Sequence, residues 1–374
     1  MVMRTNLITF KIEASKADSS VATVQSILQN NFPSLTNVQR LEFGEVNGFM
    51  VVFTSKLSNV TFTLRYYHSK NLFSLVAEIV DGSEEFNNSS NSFFASIQQT
   101  LRKEFNLKSV ERLPFISRDN DVFKYFYKSD ESILEYDFDK VVVHDESDFQ
   151  DIKILHSPTL GNCLILDDSQ NLAEADISYT HGLMNFGVNN YKDKEILILG
   201  GGDGALLHEL LKESPKFVTM VDIDEKVMKY CQQHLRGACG DTLDSFEGSN
   251  YKVIVGDCFP YLEDYVKNNK RFDYIFNDLT DLPVLSKLND LSAKEKVSIW
   301  DFIKKVLNLS LPLLHSDGKY INHAIGSSAQ KELAHYEEVL RTLPIKVEFS
   351  SHSRYVPSFM EDWVFYEIWT VQNK

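Results

Sequence analysis

The sequence predicts an α/β chain that ends in a parallel sheet wrapped by helices on both faces, and three observations lead there. From about residue 179 onward, β-type runs and amphipathic helical runs alternate. Between roughly 119 and 178 the runs are short, aromatic or β-branched, and split by acidic or Asn/Gly/Ser turns. Before about 118, successive strands are flanked by two helices. These patterns define an α+β domain over 1–118, a small β domain over 119–178 and an α/β domain over 179–374.

In chain order, LITFKIEA, VQRLEFGEV, FMVVFTS, VTFTLRYY and LFSLVAEIV read as strands, and SSVATVQSILQNNF and SFFASIQQTLRKEF as helices. The polar run SEEFNNSSNS, Ser83 to Ser92, reads as a loop leading into the second helix. Nothing in this stretch pairs a nucleophile with a base. VFKYFYKS, SILEYDFD, KVVVHDE, DIKILHS and CLILDD then supply the small β domain. The last domain alternates EILILG, ALLHELLKES, VTMVDID, EKVMKYCQQHL, YKVIVGD, PYLEDYVKNN, FDYIFND, WDFIKKVLNLSLPLL, GKYINHA and QKELAHYEEVL. It closes on VEFSSHSRYV and DWVFYEIWTV, which predict an antiparallel pair at one edge of the sheet.

Composition narrows the partners. A formal net charge of −15 argues against nucleic acid and is compatible with a cationic ligand. The opening MVMRTNLITFKIEA has no apolar core of signal-peptide length, and no segment approaches the ~18 uninterrupted apolar residues of a membrane helix. The expectation is a cytoplasmic protein with no membrane partner. Cys163, Cys231, Cys239 and Cys258 make no CxxC pair and no zinc set, so reduced thiols and no metal are expected. His156, His181 and His208 lack metal-like spacing and are assigned to structure.

Ligands of such sheets bind beyond the carboxyl ends of the strands. Four strand ends here are acidic or glycine-rich: Gly200-Gly201-Gly202-Asp203-Gly204, Val221-Asp222-Ile223-Asp224, Gly256-Asp257-Cys258 and Asn277-Asp278-Leu279-Thr280-Asp281. Gly200, Gly202 and Ala205 satisfy the dinucleotide pattern GxGxx(G/A), and Asp222 stands about 20 residues on, where a carboxylate reaches ribose hydroxyls. Asp203 tilts the choice away from a dinucleotide, because a carboxylate in that loop would repel pyrophosphate and attract a cation. A sulfonium nucleoside fits better, and among these the same charge disfavours a donor bearing a carboxylate and favours its decarboxylated form.

The stretch from Gln150 to Ser157, the run Asn171 to Asp176 followed by Tyr179-Thr180, LILGGGDG, CGDTLD, DYIFNDLT and PSFMEDWVFY stand in the order and register of one family. From about Gln150 to the C-terminus the chain closely resembles the spermine synthases, with weaker similarity upstream. The resemblance implies a Rossmann-like, methyltransferase-type sheet and transfer of an aminopropyl group from decarboxylated S-adenosylmethionine, a co-substrate rather than a cofactor, to spermidine. It implies that Gln150, Asp222, Asp257 and Cys258 hold the methylthioadenosine part, beside Gly200 and Gly202. Tyr179, Asp203, Asp278, Phe359, Glu361 and Asp281 then line the polyamine channel, with Asp278, Tyr179 and Asp203 as the catalytic set. It also implies a homodimer formed through the N-terminal domain.

Three departures stand out. Asp222 replaces the family's usual Glu at the ribose, and Phe359 its usual Tyr. Asp281 occupies the second acidic position of the sister spermidine synthases, which spermine synthases often lack; NDLT and AEADISYT side with spermine synthase. Putrescine is therefore the alternative acceptor, and a methyltransferase or a non-catalytic polyamine-binding homologue the rival readings.

Overall fold

The computed structural model describes residues 3–44, 48–55, 59–80, 90–118, 122–282 and 293–371. Most of the polar run between Ser83 and Ser92 lies outside them. The chain divides into two compact units, Met1–Asp121 and Val122–Lys374.

In the first unit β1 (Met3–Lys11) leads to α1 (Ala17–Asn31), β2 (Leu35–Glu42), β3 (Phe49–Ser55), β4 (Val60–Tyr67), β5 (Leu72–Val80) and α2 (Ser90–Glu104). Two short strands follow, β6 (Glu111–Arg112) and β7 (Ile116–Arg118). The sheet runs β2-β3-β4-β5-β1-β6, with β7 also on β1, and every pairing is antiparallel. Strict alternation sets its sidedness: Val60, Phe62, Leu64 and Tyr66 of β4 are buried, while Thr61, Thr63 and Arg65 between them are half-buried. Val24, Ile27 and Leu28 of α1 and Phe94, Ile97 and Leu101 of α2, at helical spacing, complete one core with that strand face. Burying a side chain such as Phe62 or Leu64 contributes about 1.5–3 kcal/mol.

The second unit opens with a hairpin, β8 (Tyr125–Tyr127) and β9 (Ile133–Glu135). A four-stranded antiparallel meander follows: β10 (Lys140–Glu146), β11 (Asp151–Ser157), β12 (Gly161–Leu166) and β13 (Ser169–Ala173). The continuous apolar run of β12 has a reason, since Cys163 and Ile165 face a small core with Phe126, Tyr136 and Phe138, whereas Leu164 joins the main core. A strand buried on both faces cannot alternate.

Then come α3 (Ile177–Leu183), β14 (Glu195–Gly200), α4 (Ala205–Lys212), β15 (Phe217–Asp222), α5 (Glu225–His234), α6 (Arg236–Cys239), β16 (Tyr251–Val255) and α7 (Cys258–Lys267). The chain finishes with β17 (Phe272–Asp278), α8 (Ala293–Ser310), β18 (Leu314–Gly326), α9 (Gln330–Arg341), β19 (Val347–Val356) and β20 (Glu361–Thr370). The sheet order is β16-β15-β14-β17-β18-β20-β19, parallel from β16 to β18, with β20 antiparallel to both its neighbours. This is a Rossmann-like, methyltransferase-type sheet with helices on both faces. Several elements differ from the sequence reading, two of them beside the strand ends. Helix α7 starts at Cys258, before Pro260, because the Asp257 side chain caps it by accepting from Phe259 N at 3.0 Å. Helix α3 has no counterpart in that reading, being only seven residues long.

Candidate active site

The parallel register puts the acidic strand ends in one row. Gly200 at the end of β14 pairs with Asp278 at the end of β17, and Asp222 ends β15 beside Val255 of β16. Leaving β14, Gly200 and Gly201 take φ of 82° and 76°, which turns the loop over the strand ends. A Cβ on Gly200 would stand 2.2 Å from the Asp278 carbonyl oxygen. Gly200→Ala is therefore expected to cost about 3 kcal/mol, combining left-handed strain with a backbone collision. A thermal melt checks this as a fall of roughly 6–12 °C.

Beyond this row lies a cleft of about 1240 Å³, lined by all twelve residues singled out from the sequence: Gln150, Tyr179, Gly200, Gly202, Asp203, Asp222, Asp257, Cys258, Asp278, Asp281, Phe359 and Glu361. Among the described residues, Asp167 and Asp168 bring its carboxylates to eight, against one lysine, Lys128, and one histidine, His323. That imbalance selects cations.

On the β15 side, Asp222 accepts from Gly202 N and Asp224 N, both at 2.8 Å, and a Cβ on Gly202 would meet the same carboxylate. The shorter side chain, Asp in place of the family's Glu, is thus tied to the glycine loop. Burial pushes its pKa up to about 6. Asp224 caps α5 through Lys226 N and Val227 N, and its second oxygen receives Ser147 Oγ at 2.6 Å and Gln150 Nε2 at 2.9 Å. Gln150, just ahead of β11, is thereby fixed over the cleft. Cys258 is buried at the first turn of α7, and burial raises its thiol to about 11, so it stays protonated at neutral pH.

On the β17 side, Asp203 accepts from Ala205 N at 2.8 Å at the start of α4. The Tyr179 hydroxyl, presented by α3, donates to Asp278 Oδ1 at 3.0 Å. Burial raises the pKa of both carboxyls. The charge of Asp278 adds to the rise on Asp203, whereas His323 and the Tyr179 hydroxyl hold Asp278 back. Buried Asp176 joins the two segments that carry the aromatic wall, taking Ala173 N at 2.7 Å before α3 and Ser358 N at 2.9 Å before Phe359. The Phe359 ring meets Tyr179 edge-on at 5.9 Å and Trp363 at 4.6 Å. Glu361 is buried and accepts from Ser129 Oγ at 2.8 Å and Ser328 Oγ at 3.0 Å.

Beyond Asp167 and Asp168, two cleft residues that escape the sequence reading bear on the chemistry. His323 of β18 is buried with Nε2 3.6 Å from Asp278 Oδ1 and Nδ1 3.0 Å from Asp281 Oδ1. Trp363 carries a buried indole N–H with no partner among the described residues. The histidines assigned to structure pair outside the cleft: His156 with Asp139, His181 with Glu209 and His208 with Thr242.

A Rossmann-like sheet of this order with a carboxylate-rich cleft at its strand ends defines a protein built to take a cationic ligand where nucleotide folds bind theirs. Comparison with known proteins narrows the class. Residues 176–374 match the spermine/spermidine synthase domain, and residues 122–174 the spermidine synthase tetramerisation domain. The polyamine aminopropyltransferase of Pyrobaculum islandicum is 33% identical over 62% of this chain and 76% of its own length. The spermidine synthase of Schizosaccharomyces pombe is 34% identical over 38% of this chain, a stretch that spans 46% of that protein. A crystal structure of spermidine synthase in complex with the transition state analogue AdoDATO shares the fold, with a TM-score of 0.50 and 20% identity over 68% of this chain and 81% of its own. The chain belongs to the spermine/spermidine synthase family, the aminopropyltransferases, whose co-substrate is decarboxylated S-adenosylmethionine.

Proposed function

We propose that this chain is a spermine synthase, transferring the aminopropyl group of decarboxylated S-adenosylmethionine to spermidine and releasing methylthioadenosine. The observation that carries the transfer itself is the apposition of half-buried Asp203 and Asp278 at neighbouring strand ends, with the Tyr179 hydroxyl on Asp278. Asp222 takes the ribose hydroxyls and Gln150 the nucleoside edge, while the Asp257 to Cys258 turn meets the adenine. Asp203 holds the donor's own ammonium. The acceptor amine attacks the methylene next to the sulfonium, the C–N bond forms as the C–S bond breaks, and the electron pair leaves with sulfur as a neutral thioether. No acid is required at that leaving group.

A primary ammonium with a pKa near ~10 is neutral only about one part in a thousand at pH 7, so its proton must go somewhere before attack. Asp278 takes it. Burial, which raises the pKa of Asp278, makes it a better base than an ordinary carboxylate. Holding the two partners in line supplies the rest, up to about 7–11 kcal/mol.

For the acceptor, the support is that Asp281 is engaged by His323, leaving buried Glu361 as the further carboxylate for a longer triamine. The position of Asp281 in the cleft and the names of the relatives favour the second reading, a spermidine synthase acting on putrescine. Offering both amines in competition with the decarboxylated donor and identifying products by mass spectrometry separates them: spermine as main product is expected, spermidine would reverse the assignment, and no transfer would point to the non-catalytic reading. We also read the chain as a cytoplasmic homo-oligomer, a dimer through the N-terminal domain. The tetramerisation-domain match supports assembly, and a monomer mass in solution scattering would sink it. Among the described residues no helix is long and apolar enough to cross a membrane.

A further inference from the structure

The reaction proposed above releases a proton beside Asp278, at the end of β17. Acceptor ammonium and donor sulfonium together yield a secondary ammonium, a neutral thioether and one free proton. Asp278 can take that proton only if it begins each turnover ionised, and its side chain is just 9% exposed with Asp203 and Asp222 close by. Three half-buried carboxylates sharing one cleft discourage one another's ionisation. Some fixed positive charge has to hold Asp278 in its basic form before the cationic ligands arrive.

Among the described residues lining the cleft only Lys128 and His323 can supply a positive charge. Lys128 stands 3.9 Å from Asp130. His323 is differently placed. It lies on β18, next to β17, with a side chain only 6% exposed and each ring nitrogen within 4 Å of a different carboxylate. Nε2 is 3.6 Å from Asp278 Oδ1, the oxygen that already receives the Tyr179 hydroxyl. Nδ1 is 3.0 Å from Asp281 Oδ1, whose side chain is 53% exposed. The Tyr179 ring packs 5.9 Å from the imidazole.

We propose that His323, clamped by Asp281, is a positioning residue that presents a fixed positive charge to Asp278 and keeps this carboxylate in its proton-accepting form. The inference rests on the aminopropyl-transfer reading and gives Asp281 a task other than binding the acceptor. Neither contact has hydrogen-bond geometry, Nδ1 having no hydrogen-bond partner among the described residues and Nε2 standing 3.6 Å off, so the pairing is electrostatic: an imidazolium is attracted to both carboxylates, whereas a neutral ring is not. The groups facing the ring are Asp281 and Asp278 from the end of β17, Tyr179 from α3 and Asp203 from the glycine loop. Burial on its own would lower the pKa of His323; the Asp281 contact and the charges of Asp278 and Asp203 outweigh it and raise the value. Asp281, being half in water, connects the pair to solvent, so the charge can be replenished between turnovers.

The experiment follows the pH profile of the acceptor's kcat/KM in the full chain for the parent, His323→Gln and Asp281→Asn. His323→Gln keeps size and polarity but removes the charge. Its acid limb is expected to move up by at least about one pH unit, with activity partly recovered at high pH and the donor KM within about twofold. Asp281→Asn is expected to move the limb the same way by less, and the double variant no further than His323→Gln alone. A uniform loss at every pH with an unmoved limb would reduce His323 to packing and overturn the proposal. Because Asp281 is half-exposed, its variant keeps the test open should His323→Gln fail to fold.

The charge also has a readout that needs no turnover, the ring resonances of labelled histidine in the parent. His323 is expected to keep its proton to higher pH than an ordinary imidazole and to lose part of that protection in Asp281→Asn. A ring already neutral at pH 7 overturns the proposal even if the enzyme is active. Absence of product from the parent with any amine would overturn the transfer reading while this titration still reported on the clamp.

Discussion

Replacing Asp278 with Asn is expected to lower kcat by about 10²–10⁴-fold while leaving methylthioadenosine binding within about twofold of the parent. The split follows from where the carboxylate sits. Asp278 ends β17 on the Tyr179 and His323 side of the cleft, whereas the nucleoside pocket is built by Asp222, Gln150 and the start of α7. The amide is isosteric, and its oxygen can still accept from the Tyr179 hydroxyl, so the wall of the cleft has no reason to move. What disappears is the acceptor of the ammonium proton. Without the carboxylate placed to take that proton, attack falls back on the roughly one-in-a-thousand neutral amine, which must also be held in line without its charge partner. Isothermal titration with methylthioadenosine and single-turnover kinetics measure the two halves separately. Turnover unchanged in Asp278→Asn would remove this residue from the chemistry, and lost nucleoside binding would make it part of the pocket's structure instead.

The sequence carries the fold well where periodicity is strong and poorly where it is not. The alternation after residue 179 predicts the parallel sheet, and the acidic strand ends predict the row of carboxylates, because in such a sheet any residue ending a strand reaches the ligand edge. Strands β6 and β7, of two and three residues, have no period to read, and α3 contains a glycine that breaks a helical pattern. Asp257 reads as a turn residue from sequence but caps α7, since a cap's partner is a backbone N–H that no letter records.

His323 is invisible in the sequence for a different reason. It lies in the apolar run KYINHAI of a strand buried on both faces, where a histidine reads as core, and its partners belong to another strand and the loop after it. Asp176 is legible only as one letter of the AEAD motif. Its task, tying the start of α3 to the Phe359 segment, depends on residues that meet only in the fold.

Asp203→Asn is expected to lower kcat/KM for the decarboxylated donor by roughly 100-fold, the worth of one charge-assisted hydrogen bond of about 1.5–3 kcal/mol. Unlike Asp278→Asn, it should also erode the preference over S-adenosylmethionine. In the parent, Asp203 attracts a donor that shows only an ammonium and opposes one that also brings a carboxylate; a neutral amide does neither. The same substitution carries a signature in stability that needs no substrate. Burial and the neighbouring Asp278 raise the pKa of Asp203 from 3.8 to about 7 in the fold. The unfolded chain therefore releases this proton near pH 4 while the folded protein retains it until about pH 7. Stability from this group is fully present below pH 4 and is lost as pH rises through that window. The asparagine side chain has no proton to lose and keeps the Ala205 cap through its amide oxygen. The stability of the variant relative to the parent, followed by thermal melts in the absence of ligand, should thus rise progressively between pH 4 and 7 and then level, a gain on the order of 2–4 kcal/mol. Saturating methylthioadenosine, which lacks the donor's ammonium, should leave that gap in place, whereas the decarboxylated donor should close it by giving the ionised Asp203 its partner. A gap that is constant across this pH range would mean that Asp203 is already ionised in the empty cleft and is paired there with a cation from the protein itself.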